Sequence, residues 1–279
     1  MKSLHDEVRV REARLQLFDI ATPGEKRLAK LITELGIVES RDRLHHECDF
    51  DDAEMIQSKI ESVGAWFITP EDQQWPAGLH DLAAGPIGLV IRGSLPGMRS
   101  VAIVGTRNPS SYGVRVARTF AFGITDHDLA VISGGAIGID TAAHQGALDN
   151  GGETIAVLAG GIDIDYPAGN ARLFQRIAEK GALLSEVMPG VSARPERFLT
   201  RNRLIAAIAS STIVVEAAYR SGSLRTARDA AELLRPVMAV PGPITSPLSE
   251  GCHRLIADRA AEVVTSLADL LELVDPLQS

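Results

Sequence analysis

The chain has 279 residues, 45% of them apolar, a formal charge of −8 and only two cysteines. That length and apolar content can bury a full core, with one large domain plus a smaller piece as the expected division. Cys48 and Cys252 are too few for a disulfide framework or a zinc site, and the charged N-terminus and the lack of any long apolar run argue against a signal peptide or a membrane span. A cytoplasmic protein without redox chemistry, metal or cofactor is expected.

Residues 1–60 read as a small helical region, because apolar positions recur at helical spacing and Gly24 and Gly36 punctuate them. Residues 61–100 read as an extended connector ending in a lead-in strand, GLVIRG at 88–93. From 101 to 279 short apolar runs alternate with helical patterns. Strands are expected at Val101–Val104, Ala130–Ile132, Thr154–Leu158, Ala182–Ser185, Thr212–Val215 and Val237–Val240, with helices near 113–125, 140–149, 170–180, 201–209 and 222–234. Strands of four or five apolar residues with little alternation are buried on both faces. The fold class is therefore α/β, a mostly parallel sheet with helices on both faces, preceded by the small helical region.

Ligands of such sheets collect beyond the carboxyl ends of the strands. Two junctions at that edge stand out, VAIVGTRNPSSYG at 101–113 and AVISGGAIGIDTAAH at 130–144, where apolar runs stop at glycine and small polar residues. Exposed backbone N–H groups at such junctions suit an anion. Gly105 permits the turn, Thr106 offers a hydroxyl and Arg107 a guanidinium fork; Ser133 and Gly134 lie at the second junction, which is no dinucleotide fingerprint because a serine replaces the first glycine and it follows the second strand. Asp140 and His144, one helical turn apart, lack a third metal ligand.

The negative charge is uneven. Residues 192–235 hold eight arginines, no lysine and only four carboxylates, an excess that suits phosphate recognition. Arg201, Asn202 and Arg203 are expected at the start of a helix, and Ser221 and Gly222 at the start of the next, so that two helix dipoles and their side chains act on one anion. The rival reading is a hydrolase, with Asp163, Glu186 or Glu216 past strand ends as acid or base.

The motifs VAIVGTR with SYG, ISGGAIGIDTAAH, TIAVLAGGIDIDYP with Asn170, SEV, RNRLI, VVEAA with SGS, and AVPGP occur in this order, preceded by Trp75–Pro76. Over about 66–263 the chain resembles the DNA-processing proteins called DprA or Smf. The resemblance implies a Rossmann-like domain that binds single-stranded DNA without established catalysis, forms homodimers and helps load the recombinase RecA during natural transformation. It puts Gly105, Thr106 and Arg107 on the phosphate-binding loop, Ser133 and Gly134 beside it, and Arg201, Asn202 and Arg203 on the cleft wall. The apolar face around Leu255 and Ile256 is the candidate dimer interface. Thr106 stands where the family usually has serine, Leu199 where proline is common and Arg259 where glycine is common. Residues 1–60 match the family's N-terminal SAM-like helical domain loosely, and a C-terminal winged helix is not expected in a sequence running to Ser279. A nucleotide-processing enzyme that cleaves N-glycosidic bonds in the same cleft is the alternative, and a protein-binding scaffold a third.

Overall fold

A computed structural model describes residues 4–274 of the chain. Four helices, α1 (Leu4–Ile20), α2 (Lys26–Leu35), α3 (Ile37–Leu44) and α4 (Ala53–Glu61), precede the strands β1 (Trp66–Ile68), β2 (Leu89–Gly93) and β3 (Ser100–Val104). The remaining strands are β4 (Ala130–Ser133), β5 (Thr154–Leu158), β6 (Ala182–Ser185), β7 (Ser211–Val214), β8 (Val237–Ala239) and β9 (Glu262–Val263). Between and after them run α5 (Ser111–Thr125), α6 (Ile139–Asp149), α7 (Ala171–Lys180), α8 (Pro195–Ile208), α9 (Ser223–Glu232), α10 (Glu250–Ala257) and α11 (Leu267–Val274).

All nine strands form one sheet in the order β1-β2-β6-β5-β4-β3-β7-β8-β9. β2 pairs antiparallel with both β1 and β6, and every other pairing is parallel. The six expected strands are all present. The lead-in strand expected at 88–93 is β2, and the stretch before it, read as a connector, adds β1; both join the same sheet antiparallel, because Phe67, Val90 and Ile91 have apolar partners on the sheet to bury against.

Successive residues of β3 point to opposite faces. Ala102 and Val104 join a core closed by α8, α9 and α10, whereas Val101 and Ile103 join one closed by α5, α6 and α11. A third apolar cluster combines α1 to α4 with α7 and residues of β1, β2, β5 and β6. Phe18 of α1 meets Phe67 of β1 edge-on at 5.0 Å, Arg14 pairs with Glu71 at 2.7 Å, and the N-terminal helices thereby share a core with the sheet.

The strand order reverses direction at β3. From there β4, β5 and β6 extend one way and β7, β8 and β9 the other. Connections leaving β3 and β7 consequently diverge and open a crevice at their carboxyl ends, the position where open α/β sheets hold ligands. α5 and α6, which begin just behind that rim, cross tightly: a Cβ on Gly146 would lie 2.5 Å from the carbonyl oxygen of Arg118. Gly146→Ala is therefore expected to lower stability by about 1–3 kcal/mol. A urea-unfolding midpoint unchanged by the substitution would contradict this packing.

Candidate nucleic-acid interface

At the divergence lies a cleft of about 770 Å³. Its walls come from the loop after β3 (Gly105, Thr106, Arg107), one face of α8 (Phe198, Arg201, Asn202) and the loop into α9 (Arg220, Ser221, Gly222). Sequence segments more than a hundred residues apart thus meet at one site.

The β3 loop is held at both ends by Glu216. The backbone oxygen of Glu216 accepts from Thr106 N at 2.7 Å, while its carboxylate accepts from Ser110 N at 2.9 Å and Ser110 Oγ at 2.5 Å. Ser110 Oγ in turn accepts from Gly113 N at 3.2 Å as the N-cap of α5. On the other side Ile139 N donates to Thr106 O at 3.1 Å. Both backbone polar groups of Thr106 are engaged, and what the loop offers outward is the side chain of Arg107. That side chain is exposed, and its guanidinium carbon lies 5.0 Å from the centre of the Phe198 ring. Phe198 meets Tyr166 at 5.6 Å, and Tyr166 is 54% exposed. An arginine and two aromatic rings therefore line one side of the cleft mouth.

Gly222 occupies the N-cap position of α9, so the positive end of that helix dipole faces the cleft as the sequence predicts. Asn202 Nδ2 donates to Gly222 O at 3.3 Å, and Ser221 Oγ lies 2.8 Å from Ser223 Oγ, fixing this corner. Arg220 lines the same wall and forms no ion pair or hydrogen bond among the described residues.

Other expected site residues are placed differently. α8 begins at Pro195, six residues before Arg201, because proline fits the first helical position, where no N–H partner is needed. The residues Arg201, Asn202 and Arg203 thus sit inside the helix, and its N-terminal dipole does not act through them. At 100° per residue Arg201 and Arg203 also point to different sides. Arg201 is buried beneath the rim, donating to Gly134 O at 2.6 Å and also to Val157 O. Burial lowers its pKa to about 10, partly offset by Asp140, so it stays a cation at neutral pH. Arg203 leaves the cleft altogether: it pairs with Glu186 and packs against Gly24 at the turn between α1 and α2. Ser133 is fully buried with its hydroxyl donating to Ile103 O at 2.6 Å, so it does not reach the cleft. Gly134 supports the floor: a Cβ there would lie 2.4 Å from Arg201 Nη1.

The candidate carboxylates are similarly committed. Asp163 accepts from Gly190 N at 2.8 Å. Asp140 staples the β4 loop by accepting from Gly134 N and Ala136 N, and burial raises its pKa. His144 Nδ1 lies 2.7 Å from Thr154 Oγ1 and burial pushes its pKa to about 3, which makes it a neutral core residue. No group of three or more potential metal ligands occurs among the described residues. Leu255 lies in the core under β8, which leaves only Ile256 of the expected interface partly accessible.

Phe198 and Tyr166 are not among the residues the sequence points to, and Arg220 is among them only as one of the eight arginines of 192–235. Phe198 precedes Arg201 by three residues, a helical spacing that becomes visible once Pro195 is taken as the start of α8.

Glu216→Ala is expected to leave the Ser110 N–H and hydroxyl unpaired, costing about 2 kcal/mol and speeding amide exchange at Ser110, with Glu216→Gln close to wild type. Equal exchange in all three proteins would contradict the clamp. Burial pushes Glu186 up to about 7 against the opposing pull of Arg203. Its raised pKa means that its contribution to stability is full below the ordinary carboxylate range and is lost as the pH climbs through about 7. Wild type should therefore lose stability relative to Glu186→Gln between about pH 4.5 and 7; parallel curves in denaturant titrations would contradict it.

The sequence model of the family described as DNA recombination-mediator protein A matches residues 66–275. A putative DNA processing protein DprA of Mycobacterium tuberculosis is 43% identical over 287 aligned positions, spanning 91% of this chain and 72% of the relative. The DNA processing protein DprA of Streptococcus pneumoniae is 42% identical over 202 positions, 72% of this chain and 71% of that protein. Its X-ray structure superposes with a TM-score of 0.79 at 32% identity, covering 97% of this chain and 98% of that one. A structure of DNA processing protein A from Helicobacter pylori, described for its unique single-stranded DNA binding mode, superposes with a TM-score of 0.67 at 28% identity over 76% of this chain and 95% of that one. The chain belongs to the DNA recombination-mediator protein A, or DprA/Smf, family.

Proposed function

We propose that the protein binds single-stranded DNA in the cleft at the divergence of β3 and β7, without performing catalysis on it. The observation that carries this reading is Arg107: exposed, without a carboxylate partner among the described residues, held on a rigid loop opposite the N-terminus of α9, and set against Phe198. Arg107 and Arg220 supply countercharge to phosphates, and the α9 N-terminus adds its dipole. Phe198 and Tyr166 offer ring faces to unstacked bases, a contact open to every base and therefore tolerant of sequence. Duplex DNA keeps its bases stacked and paired, which favours the single strand.

A non-catalytic role is supported by the engagement of the carboxylates that a nucleotide-processing enzyme would need. Glu216 is spent on Ser110, Asp163 on Gly190 and Glu186 on Arg203. Family membership supports extending the reading to a cytoplasmic homodimer that passes the bound strand to RecA.

If four to six phosphates are neutralised, the logarithm of the affinity for oligothymidylate falls with the logarithm of salt concentration at a slope of about −3 to −4. Arg107→Ala should weaken binding and make that slope shallower by about one, with an unchanged melting temperature. An unaltered affinity in a fluorescence-anisotropy titration would refute the assignment of the loop.

A further inference from the structure

The rim bears apolar surface on both sides of the arginines. On one side, past β4 and β5, stand Ile137 and Tyr166, 51% and 54% exposed. On the other, past β7 and β8, stand Tyr219 and Ile244, 59% and 91% exposed. Tyr219 directly precedes Arg220 on the cleft wall. Its ring has no aromatic partner and its hydroxyl no hydrogen bond among the described residues. The backbone beneath it is fixed, however: Ala217 N donates to Leu248 O, and Gly251 N donates to Ala217 O, each at 2.8 Å. The next loop is tied down as well, with Tyr112 Oη donating to Pro241 O at 2.9 Å.

We propose that Tyr219, with Ile244 on the adjacent rim loop, forms a second stacking shelf for the bases of single-stranded nucleic acid, on the opposite side of the cleft from Phe198 and Tyr166. This inference rests on the reading of the cleft as a single-strand site and adds its direction. Strands β5, β4, β3, β7 and β8 are consecutive neighbours, so the loops that follow them are met in that order along the rim. Neighbouring strands lie about 4.8 Å apart, which sets the loops after β5 and β7 about 14 Å from one another, room for roughly four stacked nucleotides. A strand laid across the rim meets Tyr166, then Arg107, then Arg220, and finally Tyr219. Its phosphates pass the two arginines and its bases reach a ring face at each end.

Continuity with the cleft and the adjacent unpaired Arg220 argue for a nucleic-acid occupant. A protein surface docking on the same two side chains would have to leave that cation uncompensated or supply a carboxylate to it.

The test compares a thymidylate 20-mer with an abasic 20-mer of the same charge, titrated against wild type, Tyr219→Ala and Tyr219→Phe at several salt concentrations. Tyr219 is exposed, so its substitution should leave the melting temperature unchanged. The expected result is a loss of at least about fivefold in affinity for the thymidylate strand with Tyr219→Ala, near-wild-type binding with Tyr219→Phe, and no change in salt slope or in abasic-strand affinity. Tyr219→Ala that binds the thymidylate strand like wild type overturns the shelf, including when it alters the sedimentation of the protein and so marks a protein contact. Equal losses on both strands overturn it too, since they indicate a phosphate contact. Failure of wild type to bind either strand overturns the cleft reading itself and the shelf with it.

Discussion

The site depends on one constraint, the divergence of the chain on either side of β3. Parallel strands β3 and β7 are neighbours in the sheet yet more than a hundred residues apart in sequence, and their outgoing loops run in opposite directions. Backbone cannot fill the gap between them. Glu216, at the exit of β7, spans it by binding both ends of the loop that leaves β3. The rigidity of that loop has a thermodynamic meaning: an Arg107 already oriented loses less conformational freedom when it meets an anion.

Burial divides the arginines of 192–235 by role. Arg201 is sunk under Gly134, where it neutralises Asp140 at longer range and holds the ends of two strands. Arg203 anchors the N-terminal helices to α8 through Glu186. Arg235 pairs with Asp81 at 3.0 Å, and Arg225 with Asp229 at 2.6 Å. Arg220 remains on the cleft wall. Four of the segment's eight arginines are thus committed within the fold, and the charge presented at the cleft is carried by fewer residues than composition implies.

The sheet was legible because its strands are uninterrupted apolar runs that end on glycine or small polar residues, a pattern dictated by burial on both faces. The loops bearing Gly105, Arg107 and Gly222 were legible for the same reason: the rim of a parallel sheet is where those runs stop. β2 coincides with the lead-in strand read at 88–93, whereas β1 was harder to read, because an edge strand of three residues just before Pro70 shows too short a pattern. The outward direction assigned to Arg203 depended on a helix start set six residues too late, and one misplaced start rotates every later side chain. The role of Glu216 arises from contacts with residues over a hundred positions away, which periodicity does not encode. The pairing of Phe198 with Tyr166 likewise joins α8 to the loop after β5 only in three dimensions.

Amide chemical-shift mapping with a thymidylate oligonucleotide tests the central claim most directly, because it locates the polyanion without presupposing which side chains bind it. The account predicts shifts concentrated at Gly105–Asn108 and Ser221–Ser223, with the N-terminal helices and the opposite, amino-terminal edge of the sheet unaffected. Shifts centred on α1 to α4, or a saturating titration that leaves the amides of Arg107 and Gly222 unmoved, would contradict it.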